Sequence, residues 1–385
     1  MEELRCIGCG SVIQTENQKQ AGYVPKSKLT EESEDIVCRR CFRLKNYNEI
    51  IPTEITEEDF YHIISEIGNS NSLVVKIIDI FDIEGSMIPQ IAKLTNNNDL
   101  IIIANKTDLL PKSIKEAKLL HHLRKIVSDN NLKPLDIFLM SALKYKNIDK
   151  IINEIMEYAE DRDIYIVGAT NVGKSTFINT ILKAYADAPK DIITVSQTAG
   201  TTLDVIKIPI GDNHIIDTPG IINHNQITHY IDQNAVKIIT PKKEIKTRVY
   251  QIESNQTLFF GGLARVDYIK GEKTPFVCYF SQALNIHRTK LEKADELQKN
   301  HLGDLLKPVF ENETDELVPH TFNVNPRYKS DIVIPGLGFI TVKGNVTVKV
   351  YVHKALTPYI REALIWQVRI YWVKYKPYIK INLTA

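Results

Sequence analysis

No stretch of this chain is apolar for long enough to cross a bilayer, and Ile101-Ile102-Ile103 has the length of a short buried strand. Its first residues, Met1-Glu2-Glu3-Leu4-Arg5, lack the basic and apolar segments of a secretion signal. Five cysteines among 385 residues are too few for a disulfide-stapled scaffold, and four of them form two CxxC pairs. Together these absences point to a reducing compartment, the cytoplasm. Net charge is almost absent too, at +1, but it is unevenly spread. Residues 221–385 hold 23 Lys/Arg against 15 Asp/Glu, whereas residues 1–220 hold 25 against 32. A basic C-terminal half suggests a polyanionic partner. With 43% hydrophobic and 25% charged residues, the chain is not of disordered composition, and its length admits two or three domains with cores of their own.

Cys6-Ile7-Gly8-Cys9 and Cys38-Arg39-Arg40-Cys41 are two knuckles separated by 28 residues. Each places two thiolates on one tight turn, and two such turns complete a tetrahedral S4 shell suited to zinc. A redox CxxC would need a βαβ setting that is missing here. About fifty residues with few large apolar side chains cannot hold a core unaided. Zinc on Cys6, Cys9, Cys38 and Cys41 is therefore expected to be structural, supplying about 10–16 kcal/mol toward folding of a module over residues 1–54. Arg39, Arg40, Arg43 and Lys45 either meet phosphate or form a solvated basic face. Cys278, in the apolar run Phe276–Phe280, reads as a core residue.

Strands alternate with helical patterns from residue 55 to 225. The pattern predicts strands over Leu73–Ile80, Leu100–Ala104, Asp136–Met140, Ile164–Val167, Asp204–Ile210 and His214–Asp217. One helix shows its face in Ile151, Ile152, Ile155, Met156 and Ala159. The alternation predicts an α/β domain with a mostly parallel sheet and a nucleotide beyond the carboxyl ends of its strands. Gly168-Ala169-Thr170-Asn171-Val172-Gly173-Lys174-Ser175 follows a strand and opens a helix, the setting a phosphate loop needs. Backbone N–H groups from Gly168 through Thr176, Asn171, Val172 and Gly173 among them, would cradle the phosphates. Lys174 would reach the β/γ oxygens and Ser175 would ligate Mg²⁺.

Asn105-Lys106-Thr107-Asp108 also follows a strand. Asp108 can accept from N1–H and the exocyclic amine of guanine, a donor pair that adenine lacks. Two such bonds give about 3–6 kcal/mol of preference. Lys106 would lie along base and ribose, Asn105 would tie this loop to the phosphate loop, and the Ala142 N–H of Ser141-Ala142-Leu143-Lys144 would address O6. Asp217-Thr218-Pro219-Gly220 supplies a water-mediated Mg²⁺ contact through Asp217 and a γ-phosphate sensor at the Gly220 N–H. Thr202 is the expected switch threonine on Mg²⁺, with Thr201 as the alternative. The ligand read from these residues is GTP.

The order of these parts is unusual. Base-reading motifs precede the phosphate loop, as if a circle of parts had been opened at another point. The segment after Gly220 then leads directly into residues 226–385. A glutamine to orient the attacking water is also lacking, because Ile221 and Ile222 stand where many GTPases place it. Unassisted hydrolysis on the order of 10⁻⁴–10⁻³ s⁻¹ is the resulting expectation. Asn171 is a candidate ligand for a K⁺ ion bridging the phosphates; the alternative is a small polar residue filling the loop.

In the C-terminal region, apolar or alternating segments (Thr257–Phe260, Phe276–Phe280, Asp331–Ile334, Phe339–Lys343, Thr347–Val352) and one charged helix, Thr289–Asn300, predict an α+β or mainly β domain. From Trp366 to Tyr378, aromatics interleave with Arg369, Lys374 and Lys376. That mixture suits either RNA stacking and phosphate contact or a terminal strand packed on the core.

The order NKTD, SALK, GATNVGKS, TAGTT, DTPG behind CxxC…CxxC resembles the YqeH family of circularly permuted GTPases over the whole length. The resemblance implies a zinc module (1–54), a circularly permuted P-loop GTPase domain (55–225) and a C-terminal domain (226–385). It also implies slow GTP hydrolysis and association with the 30S ribosomal subunit, its precursor or its RNA, away from membranes. Asp79 and Asp82 match an aspartate-rich strand end of that family, where capping of the next helix is a sufficient role. A rival reading is a binding module in which GTP and zinc are structural.

Overall fold

The structure, a computed structural model, describes residues 4–7, 11–18, 20–29, 36–47, 63, 65–87, 98–184, 194–197, 204–210, 213–218, 220, 223–312 and 316–365. Cys9, Thr201, Thr202, Ile221, Ile222 and the segment from Trp366 to Tyr378 lie outside the described residues.

Helix α1 (Arg39–Tyr47) follows the second cysteine knuckle. A seven-stranded sheet comes next in the chain. It contains β1 (Leu73–Asp79), β2 (Asp99–Asn105), β3 (Asp136–Leu139), β4 (Ile164–Val167), β5 (Thr194–Gln197), β6 (Asp204–Ile210) and β7 (Asn213–Asp217), in the order β3-β2-β1-β4-β7-β6-β5. Strands β1, β2, β3, β4 and β7 pair in parallel, while β6 turns back antiparallel on β7 and β5 on β6. Helices α2 (Glu116–Asp129), α3 (Ile148–Ala159) and α4 (Lys174–Ala184) cover the sheet. The mostly parallel sheet expected from the alternation is present.

Side chains leave β1 on alternate faces. Leu73, Val75 and Ile77 pack with Ile151, Ile152 and Ile155 of α3 and with Phe177 and Ile181 of α4. Val74 and Ile78 point the other way, toward Leu119, Leu123 and Val127 of α2. Lys76 lies on this second face with no exposed surface, and its ammonium has no hydrogen-bond partner. Burial pushes its pKa down to about 7.

After α5 (Gln233–Ile239) the chain forms ten strands in two antiparallel five-stranded sheets. These are β8 (Arg248–Ile252), β9 (Gln256–Phe260), β10 (Ala264–Lys270), β11 (Thr274–Phe280), β12 (Ile286–Lys290), β13 (Leu317–Val324), β14 (Ser330–Ile334), β15 (Gly338–Val342), β16 (Val346–His353) and β17 (Tyr359–Glu362), with α6 (Ala294–His301) between β12 and β13. The two sheets, ordered β12-β9-β10-β16-β13 and β17-β14-β15-β11-β8, share one core. The region is thus mainly β. Its helix begins later than the expected Thr289, because Ile286–Lys290 alternates in exposure and pairs with β9 as a strand.

The second of these sheets is covered on both sides. Ile332, Ile334, Ile340 and Cys278 face the other β-sheet, while Val333, Phe339 and Tyr279 join the cluster that holds Val74, Ile78 and α2. This double burial is why β14 and β15 are buried along their whole length, with the polar Asp331 and Thr341 paired to each other. Cys278 is a core residue as expected, and burial pushes its thiol up to about 12.

Candidate functional site

Asn105-Lys106-Thr107-Asp108 leaves the carboxyl end of β2, Ser141-Ala142 follows β3, the phosphate loop follows β4, and Asp217 ends β7. All four strands run parallel, so these loops emerge along one edge of the sheet. Between β1 and β4 the chain changes direction of travel across the sheet, having built β2 and β3 on one side before returning. A crevice at such a point is where open α/β sheets hold ligands.

The base-reading residues are tied to one another. Asn105 Nδ2 donates to the Val172 carbonyl at 2.9 Å, so this loop is fastened to the phosphate loop as the sequence implied. Asn105 Oδ1 accepts from the Ala142 N–H at 3.0 Å. That N–H, expected to face guanine O6, instead joins the two base-reading loops in this conformation. Ser141, fully buried, donates from Oγ to Asp108 Oδ1 at 2.6 Å and accepts from the Lys144 N–H at 3.1 Å. Thr107 Oγ1 donates to the Met140 carbonyl at 3.0 Å. Lys106 has left-handed backbone (φ 66°), and its Nζ pairs with Asp79 Oδ2 at 2.6 Å.

The phosphate loop is as tightly built. A Cβ on Gly168 would lie 2.9 Å from both the Ile77 carbonyl oxygen and Val172 Cγ2. Gly173 has φ +92°, and a Cβ there would reach within 2.3 Å of Asn105 Nδ2. Both positions therefore require glycine. Asn171 has φ 63°, a left-handed conformation that Asn tolerates better than most residues, which gives it a backbone role apart from any ion. Lys174 opens α4, and its buried Nζ donates to Asp217 Oδ1 at 2.5 Å and to the Thr218 carbonyl. Thr218 Oγ1 donates to the Ile166 carbonyl at 2.8 Å, and Gly220 lies against Thr170.

This donor set fits a magnesium–nucleotide. Backbone N–H groups at the amino end of α4 and the Lys174 ammonium suit phosphate oxygens, while the Ser175 hydroxyl and Asp217 carboxylate could hold Mg²⁺. The ion would supply charge neutralisation across the β- and γ-phosphates.

At the N-terminus, the Sγ atoms of Cys6, Cys38 and Cys41 all lie within 4.8 Å of one another and are buried. The Cys38 N–H donates to Cys6 Sγ at 3.1 Å, tying the second knuckle to the first. None of the described cysteines is in a disulfide. Val24 and Ile36 pack around the three cysteines, with Ile13 and Leu29 partly buried beside them. A soft divalent ion such as zinc fits this sulfur set.

Sequence reasoning left Asp79 as a cap of the next helix. Its Oδ1 instead accepts the Phe81 N–H at 2.9 Å, ahead of the helical turn Glu84–Ser86, and Oδ2 holds Lys106. Also unforeseen were Glu84 and its partners Tyr359 and Arg361, and Asp82 with its partner Gln226. The run of acids in Asp79-Ile80-Phe81-Asp82-Ile83-Glu84, directly after a strand that ends beside the base-reading loop, was the available signal.

A phosphate loop, a guanine-type base reader and an aspartate strand end on one edge of a parallel sheet define a P-loop GTPase. A family model described as "50S ribosome-binding GTPase" matches residues 163–258, and one described as "YqeH-like, C-terminal" matches residues 273–364. The chain is 48% identical over 370 residues to "Uncharacterized protein YqeH" of Bacillus subtilis, covering 95% of this chain and 100% of that one. It belongs to the YqeH family. It is also 27% identical over 388 residues to "NO-associated protein 1, chloroplastic/mitochondrial" of Arabidopsis thaliana, covering 88% of this chain and 69% of that one. The solved structure of GNP-bound YlqF from T. maritima covers 43% of this chain and 58% of its own at 17% identity, with a TM-score of 0.29.

Proposed function

We propose that this GTPase is a slow, nucleotide-gated assembly factor for the small ribosomal subunit, built on a circularly permuted domain and working in the cytoplasm. The observation that carries this reading is the route of the chain after Asp217-Thr218-Pro219-Gly220. In GTPases this segment responds to the γ-phosphate. Here its continuation is fixed between the sheet and the C-terminal domain. Asn223 Nδ2 donates to the Gly85 carbonyl at 2.7 Å, Gln226 Nε2 to Asp82 Oδ2 at 2.8 Å, and the Thr357 N–H to Asn225 Oδ1 at 2.7 Å. A change of position at Gly220 would thus be passed to both bodies.

An RNA partner is supported by charge. Beside the base-reading loop a cavity of about 630 Å³ is lined by Lys112, Lys144, Lys146, Lys242 and Lys243, against Asp108, Glu116 and Glu244. Leu143 and Tyr145, which flank Lys144, are exposed. Lysines beside an exposed aromatic suit a phosphate backbone with unstacked bases.

Hydrolysis should be slow alone, faster in potassium than in sodium through Asn171, and faster again with ribosomal particles. The test is GTP turnover in each salt, with purified 30S or 50S subunits, beside co-sedimentation with GDP or a non-hydrolysable GTP analogue. Stimulation and GTP-dependent binding by 30S particles support the reading. A response confined to 50S particles would redirect it to the large subunit, and nucleotide-blind binding with no stimulation would refute gating.

A further inference from the structure

The eight residues after the middle of the parallel sheet, Asp79 through Ser86, form a closed loop. Ser86 Oγ donates to the Asp82 carbonyl at 2.6 Å and accepts from the Asp79 N–H at 3.0 Å, drawing the two ends together. A Cβ on Gly85 would lie 2.1 Å from Asp82 Oδ2, so the turn has no slack. Its three acidic side chains reach three different partners. Asp79 Oδ2 holds Lys106 Nζ at 2.6 Å, and both side chains are largely buried. Asp82 Oδ2 holds Gln226 of the segment after Gly220. Glu84 Oε2 accepts from the Tyr359 hydroxyl and from Arg361 Nη1, each at 2.5 Å, both on β17. Arg361 lies over the Phe339 ring at 5.3 Å and is also 3.5 Å from buried Asp331.

We infer that this loop links guanine recognition to the C-terminal sheet: Asp79 is a positioning residue for Lys106, and Glu84 sets where the loop sits by clamping Tyr359 and Arg361. Lys106 stands in a left-handed conformation, so its long side chain needs an external partner to hold one direction. The Asp79 carboxylate supplies that partner at low entropic cost, because Phe81 already fixes its other oxygen. The inference rests on guanine-nucleotide binding at Asn105–Asp108 and is independent of any ribosomal partner.

The test is equilibrium binding of GDP carrying a fluorescent ribose label to the full chain and its variants. Asp79→Asn keeps an acceptor for the Phe81 N–H but removes the charge that holds Lys106. It should weaken binding about tenfold, and Lys106→Met should weaken it by at least as much. The double variant should bind no more weakly than Lys106→Met alone, because both changes break one interaction. Losses that multiply, or wild-type affinity in Asp79→Asn, would overturn the positioning role, since a purely structural contribution is additive. Glu84→Gln, which touches no nucleotide, should weaken labelled GDP about threefold. Tyr359→Phe removes one bond to the same carboxylate and serves if Glu84→Gln does not fold. Unchanged affinity in both would overturn the link to the C-terminal sheet. Failure of all variants and the wild type to bind GDP would instead remove the nucleotide site on which the inference stands.

Discussion

Asp82 shows how burial and a neighbouring charge act on a single group. It is almost fully buried, and desolvation, followed by the charge of Asp79, raises its pKa from 3.8 to about 6. Between these values the folded chain holds a proton that the unfolded chain has lost. Stability from this group is therefore full below about pH 4 and is lost as pH rises through about 6. Asp82→Asn retains an acceptor for Gln226 and never ionises. The variant should gain about 3 kcal/mol over wild type at pH 8 and about 0.5 kcal/mol or less at pH 4. Urea titrations at the two pH values check this, and an equal gain at both would assign the effect to packing. At this scale the sequence was legible wherever a motif fixes chemistry: Asn105 does reach the phosphate loop, whereas the bond from Ser141 to Asp108 was not anticipated. It was not legible for Glu84 and Arg361, which lie 277 positions apart and meet only through the tertiary fold.

At the level of elements, periodicity located the parallel strands well: β3 and β4 each follow a helix, and β2, β3, β4 and β7 each lead into a motif with recognisable chemistry. Strands β8, β10, β12, β13 and β17 were not anticipated. Several are half-exposed edge strands rich in Lys, Arg, Thr or Gln, whose pattern is weak without their neighbours. The run Asp331–Ile334 was visible as a strand, but the sequence did not say what covers its second face. Phe339 on β15 answers that: it stacks on Tyr279 at 4.6 Å between ring centres and meets Phe81, which follows β1, at 5.7 Å. Phe339→Ala should cost about 3–5 kcal/mol, because the void opens where the sheets of two domains meet. Thermal and urea unfolding measure the loss, and a cost under about 1 kcal/mol would show that the two sheets close over the gap.

On the scale of the whole molecule, the cysteine module stands apart in its packing. Among the described residues, its small core of Cys6, Val24, Ile36, Cys38 and Cys41 forms a cluster of its own. If the cysteine set holds zinc, a strong chelator at neutral pH should make residues 1–54 protease-sensitive and leave GDP affinity within about twofold of its untreated value. Loss of nucleotide binding on chelation would show instead that the module supports the GTPase domain. The unequal charge of the two halves was legible from composition alone. How the halves meet was not, since that depends on side chains far apart in the sequence, such as Phe81 with Phe339 and Lys125 with Glu362.

The sheet formed by β17, β14, β15, β11 and β8 is the inner wall of the C-terminal core and also the outer wall of the GTPase core. A wall common to two rooms cannot be taken down from one side only. Separating the C-terminal half would bare Phe339, Val333 and Tyr279, together with Phe81 beside Phe339, so neither half is a natural fragment for expression. Both halves should melt in one cooperative event with a denaturant slope set by their combined surface, and any nucleotide-dependent motion between them would have to proceed by rotation about this wall rather than by parting from it.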